Sequence, residues 1–376
     1  MAAEEFTLNG RQTPFAPGQT ILEAAEAAGV RIPTLCHLKG TLPTGACRIC
    51  VVEVEGARTL LAACTTPAAA AMVVRTESPE VIAARKVILE LLLASGNHNC
   101  AAVAGDGAQW TDFQLQVAET EKTADLCPAW GDCRLQELAF QYQVPGGRYA
   151  PPDAGPALED VNPMIVRDLS RCILCGRCVK ACNEVQVNRA ISFGYRGSRT
   201  RIVAAGDRAL ADSDCVFCGE CVQACPVGAL VEKKAAYDWR PWKEERVRTT
   251  CPYCGVGCQQ WLHVQDGRIV KVTGVEGAAP NQGRLCVKGR FGYDFIYAED
   301  RLKTPLIREP GGFREASWDE ALDLVAARLK AVIAEHGPDA AAGVSCARSI
   351  NEDSYQMQKL FRAAIGTNNI DHCART

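Results

Sequence analysis

Residues 251–258 read Cys251-Pro252-Tyr253-Cys254-Gly255-Val256-Gly257-Cys258, and after 27 residues of β-like alternation the chain closes on Cys286-Val287-Lys288-Gly289-Arg290-Phe291. Four cysteines spaced C-x2-C-x3-C-x27-C can enclose one metal centre. Thiolates are soft ligands that select zinc or iron–sulfur clusters, and four of them suit a [4Fe-4S] cube. Spacing alone leaves a structural zinc ribbon open as the alternative. The rest of the chain bears on the choice, because most of its 21 cysteines fall in similar short groups within 376 residues. A disulfide framework belongs to small secreted domains, so metal binding is the better account. The length allows two or more domains, and 48% hydrophobic content suffices for ordinary cores. A net charge of −3 provides no basic field for nucleic acid. No apolar run reaches the length of a membrane span, the longest, 87–94, containing Glu90. The opening residues MAAEEFTLNG carry neither a secretory signal nor a twin arginine, which points to the cytoplasm.

The string CPYCGVGC, followed by RLCVKGRFGYDF and RLKTPLIR, resembles the amino-terminal cluster domain of molybdenum or tungsten bis-pterin enzymes, most closely the formate dehydrogenases. In that family the lysine two places after the last cysteine lies between cluster and pterin. The resemblance therefore gives Lys288 a catalytic and cofactor-binding role as electron relay; without it, Lys288 is an ordinary surface lysine in a glycine-rich turn.

Residues 1–77 read as a small β-rich domain. Asn9-Gly10 between short extended runs predicts a hairpin, since this pair supplies the positive φ values of a tight turn. Thr20 with Glu23 forms a capping box for a helix from Ile21, and Gly29 ends it. Cys36, Cys47, Cys50 and Cys64 follow with spacing C-x10-C-x2-C-x13-C. Three cysteines on one loop and a fourth after a strand suit a [2Fe-2S] cluster, a structural zinc site being the alternative. The string LCHLKGTLPTGACRICVVEVEG resembles the β-grasp ferredoxin domain of the large iron–sulfur subunit of complex I. His37 reads as a hydrogen-bonding neighbour of that cluster.

Ser78-Pro79 starts a helix whose apolar residues recur at roughly helical spacing to Ala94, delivering Asn97-His98-Asn99-Cys100. Cys127 and Cys133 come later, the second followed by Leu135-Gln136. Related subunits of complex I and bidirectional hydrogenases hold a [4Fe-4S] cluster with one histidine and three cysteines before a Leu-Gln pair. That resemblance implies His98, Cys100, Cys127 and Cys133 as ligands in residues 78–144. The sequence departs from the family, which usually places two residues between its first two cysteines where this chain has 26. Otherwise His98 is a helix-end histidine and no cluster forms.

Residues 145–163, rich in proline and glycine, read as a linker that wraps rather than packs. Beyond it Cys172-x2-Cys175-x2-Cys178-x3-Cys182 recurs 43 residues later as Cys215-x2-Cys218-x2-Cys221-x3-Cys225-Pro226. Such a duplicated run marks a two-cluster ferredoxin, in which the fourth cysteine of each run serves the other cube. One cube then takes Cys172, Cys175, Cys178 and Cys225, and the other Cys215, Cys218, Cys221 and Cys182. Asn183 stands where the first run would carry proline, altering a turn and not a ligand. Residues 190–204 read as an inserted β-hairpin, and Trp239 and Trp242 as packing residues.

After the CPYCGVGC centre, Ser317 with Glu320 makes a second capping box for a helix over 318–336. A strand over 341–345 and a helix over about 352–364 follow, the start of an α/β domain. Cys346 and Cys373 have no partner spacing and read as unligated thiols. The segment SCARSINEDSYQMQKLFRAAIGTNNIDHCART closely resembles the formate dehydrogenase sequence leading to the cysteine or selenocysteine that ligates molybdenum or tungsten. By that resemblance the ligand would follow Thr376 directly. A selenocysteine codon read as stop would account for an end at this position; an arbitrary boundary is the alternative.

Together the resemblances imply an α+β multidomain chain: a [2Fe-2S] β-grasp ferredoxin (1–77), a helical His/Cys-ligated [4Fe-4S] domain (78–144), a linker (145–163) and a two-cluster [4Fe-4S] ferredoxin (164–235). A bis-pterin-type [4Fe-4S] domain (247–304) and the start of a molybdopterin oxidoreductase α/β domain (305–376) complete it. They imply one [2Fe-2S] and four [4Fe-4S] clusters, with molybdenum- or tungsten-bis(pterin guanine dinucleotide) in the intact protein. The activity implied is NAD-linked oxidation of formate to carbon dioxide, or its reverse. Implied partners are an FMN- and NAD-binding diaphorase flavoprotein and a small [2Fe-2S] subunit, with ferredoxin or a hydrogenase as further ones. The large subunit of complex I normally lacks the duplicated run, and an iron-only hydrogenase would carry its catalytic motifs where CPYCGVGC stands. A non-catalytic multi-cluster electron-transfer subunit of a formate dehydrogenase or hydrogenase complex is the alternative.

Overall fold

The structure is a computed structural model describing residues 4–98, 127–144, 148–149 and 158–373. Cys100, the 26 residues after it, most of the predicted linker and residues 374–376 lie outside the described residues. The chain divides into two compact units, 1–245 with 265–271, and 246–264 with 272–376.

In the first unit, β1 (Glu4–Leu8) and β2 (Arg11–Phe15) form the hairpin the sequence predicts, with Asn9 at φ 50° and Gly10 at φ 81°. Helix α1 (Ile21–Ala27) has its full capping box: Thr20 accepts from the Glu23 amide while the Glu23 carboxylate accepts from the Thr20 amide at 2.8 Å. Strands β3 (Val51–Val54), β4 (Leu61–Ala62) and β5 (Val73–Arg75) complete a five-stranded sheet of order β2-β1-β5-β3-β4. Only the central β1–β5 pairing is parallel among those registered. Phe6, Leu8, Ile21, Ala24, Val52 and Val74 fill the core between sheet and helix, and Cys50 and Cys64 lie in it.

Helix α2 (Pro79–Leu93) starts at Ser78, whose hydroxyl accepts from the Val81 amide. It buries Val81, Arg85 and Leu89. Arg85 is fully buried and its guanidinium ties three segments together: Nη1 donates to Glu77 Oε1 (2.8 Å) and the Tyr142 hydroxyl (2.7 Å), and Nη2 to the Val51 carbonyl (2.9 Å). Helix α3 (Arg134–Gln141) follows Cys133 and buries Leu135, Leu138 and Phe140. These residues share one core with Leu35, Ile49, Leu89, Ile173 and Val227, so segments far apart in sequence solidify together.

Strand β6 (Ile165–Arg167) pairs antiparallel with β9 (Leu230–Glu232) and brackets the duplicated run. Between them come α4 (Arg177–Lys180), the predicted hairpin β7 (Ile191–Gly194) with β8 (Arg201–Ala204), and α5 (Glu220–Ala224). The end of the predicted linker is tied down rather than merely wrapped. Asn162 is buried and its Oδ1 accepts from the Met164 and Ile165 amides, while Glu159 bridges to Arg167 and its Oε1 accepts from the Leu210 amide. Side-chain acceptors on Asn and Glu, unread in a proline-rich stretch, supply these anchors.

Strands β10 (Glu245–Thr250), β11 (Gln259–Gln265) and β12 (Arg268–Gly274) form a sheet in that order, followed by the short helix α6 (Val287–Phe291). Hairpin β13 (Leu306–Glu309) with β14 (Gly312–Glu315) precedes α7 (Trp318–His336). Only half of the predicted second capping box forms. Ser317 accepts from the Glu320 amide, but the Glu320 carboxylate is taken by Arg314, which also holds Glu309. Strand β15 (Gly343–Ser345) pairs in parallel with β16 (Ile370–His372), with α8 (Asn351–Lys359) and a π-helical turn, Leu360–Ile365, between them. The strand begins at Gly343, not 341, where pairing with Ile370 starts, and Phe361 packs where any β-carbon at 343 would stand, 2.6 Å from its ring.

Candidate metal centres

The four cysteines of the β-grasp domain converge. Cys50 Sγ lies 3.4 Å from Cys64 Sγ, and Cys36 Sγ accepts from the Cys47 amide at 3.5 Å. Thiol hydrogen bonds from Cys47 and Cys64 hold Cys36 far below the ordinary thiol range, and Cys64 likewise lowers Cys50 to about 7. The four sulfurs thus adjoin one another in the order Cys47–Cys36–Cys64–Cys50, and thiols give up their protons when they bind a metal. The loop carrying Cys47 closes tightly: a β-carbon on Gly45, at φ 61°, would stand 3.1 Å from Thr65 Cγ2. His37 is half-buried, and burial lowers its pKa.

His98, Cys127 and Cys133 line one small, partly open cavity with Ala129, Trp130, Gln136, Arg171 and Gly228. The predicted fourth ligand, Cys100, lies outside the described residues. Two contacts place His98 there: the Asn97 amide donates to the Ser170 carbonyl (2.8 Å), and Arg171 Nη1 donates to the Asn97 carbonyl (2.9 Å). Burial, and then the Arg171 charge, lower the His98 pKa to about 4, so its imidazole is neutral at pH 7, the form that ligates a metal. Burial raises Cys127. A β-carbon at Gly228 would come within 3.0 Å of Cys127 Sγ, so only glycine lets the segment after Cys225 approach this cavity unshifted.

All eight cysteines of the duplicated run line a single, predominantly apolar cavity with Ile173, Ile191, Ile202, Val227 and Leu230. The two runs fold alike. Leu174 and Phe217 have φ 51° and 52°, Gly176 and Gly219 both 74°, and the Leu174 and Phe217 amides each donate to the preceding Cys172 or Cys215 sulfur at 3.4 Å. Burial pushes Cys172 up to about 11 and Cys175 up to about 12, and raises Cys178 and Cys225 too. Cys225 lies close enough to act electrostatically on Cys172, Cys175 and Cys178, and Cys182 on Cys215. The runs differ after their helices. With Asn183 in place of proline the first continues as a π-helical turn, Ala181–Val185, whereas the second stops at Cys225 before Pro226.

The CPYCGVGC loop and Cys286 also meet. The Cys251 amide donates to the Cys258 carbonyl (2.8 Å), and Cys254 and Cys286 bear electrostatically on both Cys251 and Cys258. Cys251 is buried while Cys286 is exposed at the start of α6. Burial raises Cys251, offset in part by its backbone hydrogen bond with Tyr253 and by the Lys288 charge. Lys288 Nζ lies 5.9 Å from the centroid of the Tyr253 ring, whose hydroxyl donates to the Gly292 carbonyl. Lys288 therefore stands beside this group of thiols. Asn351 of α8 braces the loop by donating to the Gly255 carbonyl (2.7 Å).

Among the described residues, no three His, Cys, Asp or Glu side chains close on one point as around a single ion. The eight ferredoxin-type thiols and the His98 group surround open space, which suits an inorganic cluster. Sequence reasoning missed one meeting of thiols: Cys346 and Cys373 approach to 3.5 Å, although 26 residues separate them.

Comparison with known proteins matches four families. Residues 3–79 match the 2Fe-2S iron–sulfur cluster binding domain and 171–229 the 4Fe-4S dicluster domain. Residues 244–298 match the molybdopterin oxidoreductase Fe4S4 domain and 301–376 molybdopterin oxidoreductase. The chain is 38% identical over 375 residues to the NADPH-Fe(3+) oxidoreductase subunit alpha of Geobacter sulfurreducens, covering 98% of this chain and 40% of the relative. It is 36% identical to a subunit of an NADH-quinone oxidoreductase of Rhizobium meliloti (99% and 40%). It is 31% identical to a Staphylococcus aureus protein carrying the provisional name formate dehydrogenase (98% and 39%). The chain thus spans about two fifths of the length of these curated relatives. Among solved structures, a chain of an NAD+-reducing [NiFe]-hydrogenase in the H2-reduced state is similar at 35% identity and TM-score 0.53, over 64% of this chain and 91% of that one. Among the described residues no helix is long and apolar enough to cross a membrane.

Proposed function

We propose, for a chain made of 2Fe-2S and 4Fe-4S ferredoxin domains joined to the N-terminal domains of a molybdopterin oxidoreductase, that it is the electron-transfer half of a cytoplasmic formate dehydrogenase linked to a nicotinamide nucleotide. Cys36, Cys47, Cys50 and Cys64 hold a [2Fe-2S] cluster in this reading. His98, Cys100, Cys127 and Cys133 hold one [4Fe-4S] cluster, the crossed sets of the duplicated run two more, and Cys251, Cys254, Cys258 and Cys286 the last. When bound, these clusters supply one-electron carriage between a molybdenum or tungsten pterin centre and a flavoprotein partner. The protein's own residues bury the sulfurs, aim amide N–H groups at them and keep His98 neutral. Lys288, beside the last thiol group, carries a positive charge on the side of the relay that meets the pterin.

The observation that carries the relay is the convergence of four cysteine-containing groups in the chain that continues into residues matched to molybdopterin oxidoreductase. Formate as the substrate rests on the NNIDHCAR segment and on the name borne by the Staphylococcus relative. A second reading has its own support. The 38% identical Geobacter relative is named for NADPH-dependent reduction of Fe(3+), which favours an electron-transfer subunit whose donor is a nicotinamide nucleotide.

Anaerobic titration of the full-length protein with its partner subunits, followed by cluster electron paramagnetic resonance, separates the two. Formate alone is expected to reduce the clusters of a protein carrying about 18 iron atoms per chain. Reduction by NADH or NADPH with none by formate would sink the formate assignment and leave the second reading.

A further inference from the structure

Two thiols outside the candidate centres meet at one end of a small sheet. Strands β15 and β16 pair in parallel with Ser345 opposite His372, so Cys346 and Cys373 leave the two strands side by side. Their sulfurs stand 3.5 Å apart, and the Arg348 amide donates to Cys346 Sγ at 3.3 Å. Cys346 also lines an open cavity of about 750 Å³ with Ser354, Gln358, Arg362 and His372, and Cys373 is exposed. The pair thus borders an open pocket, unlike the thiols that line the cavity of the duplicated run.

We infer that Cys346 and Cys373 are a dithiol modification site that takes low-molecular-weight disulfides of the glutathione class and closes to a disulfide. The chemistry balances by exchange. The Cys373 thiolate attacks one sulfur of the reagent, the reagent's S–S bond breaks, and one thiolate leaves with Cys373 in a mixed disulfide. Cys346, giving up its proton, then attacks Cys373 Sγ and displaces the second thiolate. Two electrons pass from the pair to the reagent, which ends as two thiols. The sulfurs must close from 3.5 Å to about 2.05 Å, a movement within side-chain rotation. Cys373 suits the attacking role, since its hydrogen bonds with the Ala347 backbone and the Cys346 thiol, with the Arg348 charge, hold its pKa below the ordinary thiol value.

The full-length protein, purified anaerobically, would be treated with oxidised glutathione, denatured in N-ethylmaleimide, digested with trypsin and mapped by mass spectrometry. The expected result is loss of the label from both cysteines and appearance of the Cys346–Cys373 linked peptide. In Cys346→Ser, glutathione should instead remain on Cys373. Retention of N-ethylmaleimide on both, separate glutathione adducts on each in the wild-type chain, or linkage of either to a cysteine of the candidate centres would overturn the inference. The wild-type map decides even where a variant fails to fold. Because neither thiol belongs to a proposed cluster, cluster reduction by formate bears on the function and not on this pair.

Discussion

The eight thiols of 172–225 and the four of 251–286 have the same chemistry in unlike surroundings. The former face an apolar cavity, and burial pushes Cys175 up to about 12. In the latter group Cys251 is buried but Cys286 opens to solvent. The difference teaches what a cluster is asked to do at each place. In the first it stands inside an apolar wall of Ile173, Ile191, Ile202, Val227 and Leu230, part of which continues into the core shared with α3. In the second it is held on a loop that has its own brace through Asn351 and its own sheet.

The largest test of that contrast is removal of iron. Structural metal binding contributes on the order of 10 kcal/mol to a small domain that lacks another core. Chelation under mild oxidation of the full-length protein is therefore expected to erase amide protection over 164–235, read by hydrogen-exchange mass spectrometry. The β-grasp sheet, with its own core of Phe6, Leu8, Ile21 and Val74, should keep protection, and strands β10 to β12 should lose little. Protection of 172–225 that survives without iron would break the contrast.

A smaller effect sharpens it through pH. His98 has its pKa lowered to about 4 by burial, against an ordinary value of 6.5. Between those values the unfolded chain binds the proton that the folded chain refuses, so stability is full above pH 6.5 and lost as pH falls toward 4. For the full-length, iron-loaded protein the loss from pH 6.5 to 5 should be ~2 kcal/mol, read from the shift of the urea midpoint with pH. His98→Gln should flatten that slope, whereas an unchanged slope would show that His98 titrates normally.

What the sequence made legible and what it did not divide along the same line. Cysteine spacing is local, and so are Asn9-Gly10, the Thr20–Glu23 box and the repeated glycines after Cys175 and Cys218; each imposes its geometry on a few neighbouring residues. Arg85 was illegible because its partners, Val51 and Tyr142, are brought to it only when the sheet, α2 and α3 share a core. Cys346 and Cys373 were illegible for a similar reason, since only the parallel register of β15 and β16 aligns them. The second capping box misled because Arg314, six residues from Glu320, competes for its carboxylate.

The smallest test compares one glycine from each region. Gly176 and Gly257 have φ 74° and 70°, so alanine at either costs roughly 1–2 kcal/mol of backbone strain. They differ in what the new methyl would meet. At 176 it stands 3.1 Å from Phe193 Cζ, and at 257 nothing lies within 4 Å. Phe193 is 48% exposed and can swing aside, so the contact adds about 1 kcal/mol or less, well below the cost of overpacking a closed core. Gly176→Ala is thus expected to lower the urea midpoint, followed by cluster absorbance, somewhat more than Gly257→Ala. An equal or larger shift for Gly257→Ala would mean that the loop around Cys254 and Cys258 is as tightly constrained as the buried run, and that exposure of Cys286 is no measure of how firmly that centre is held.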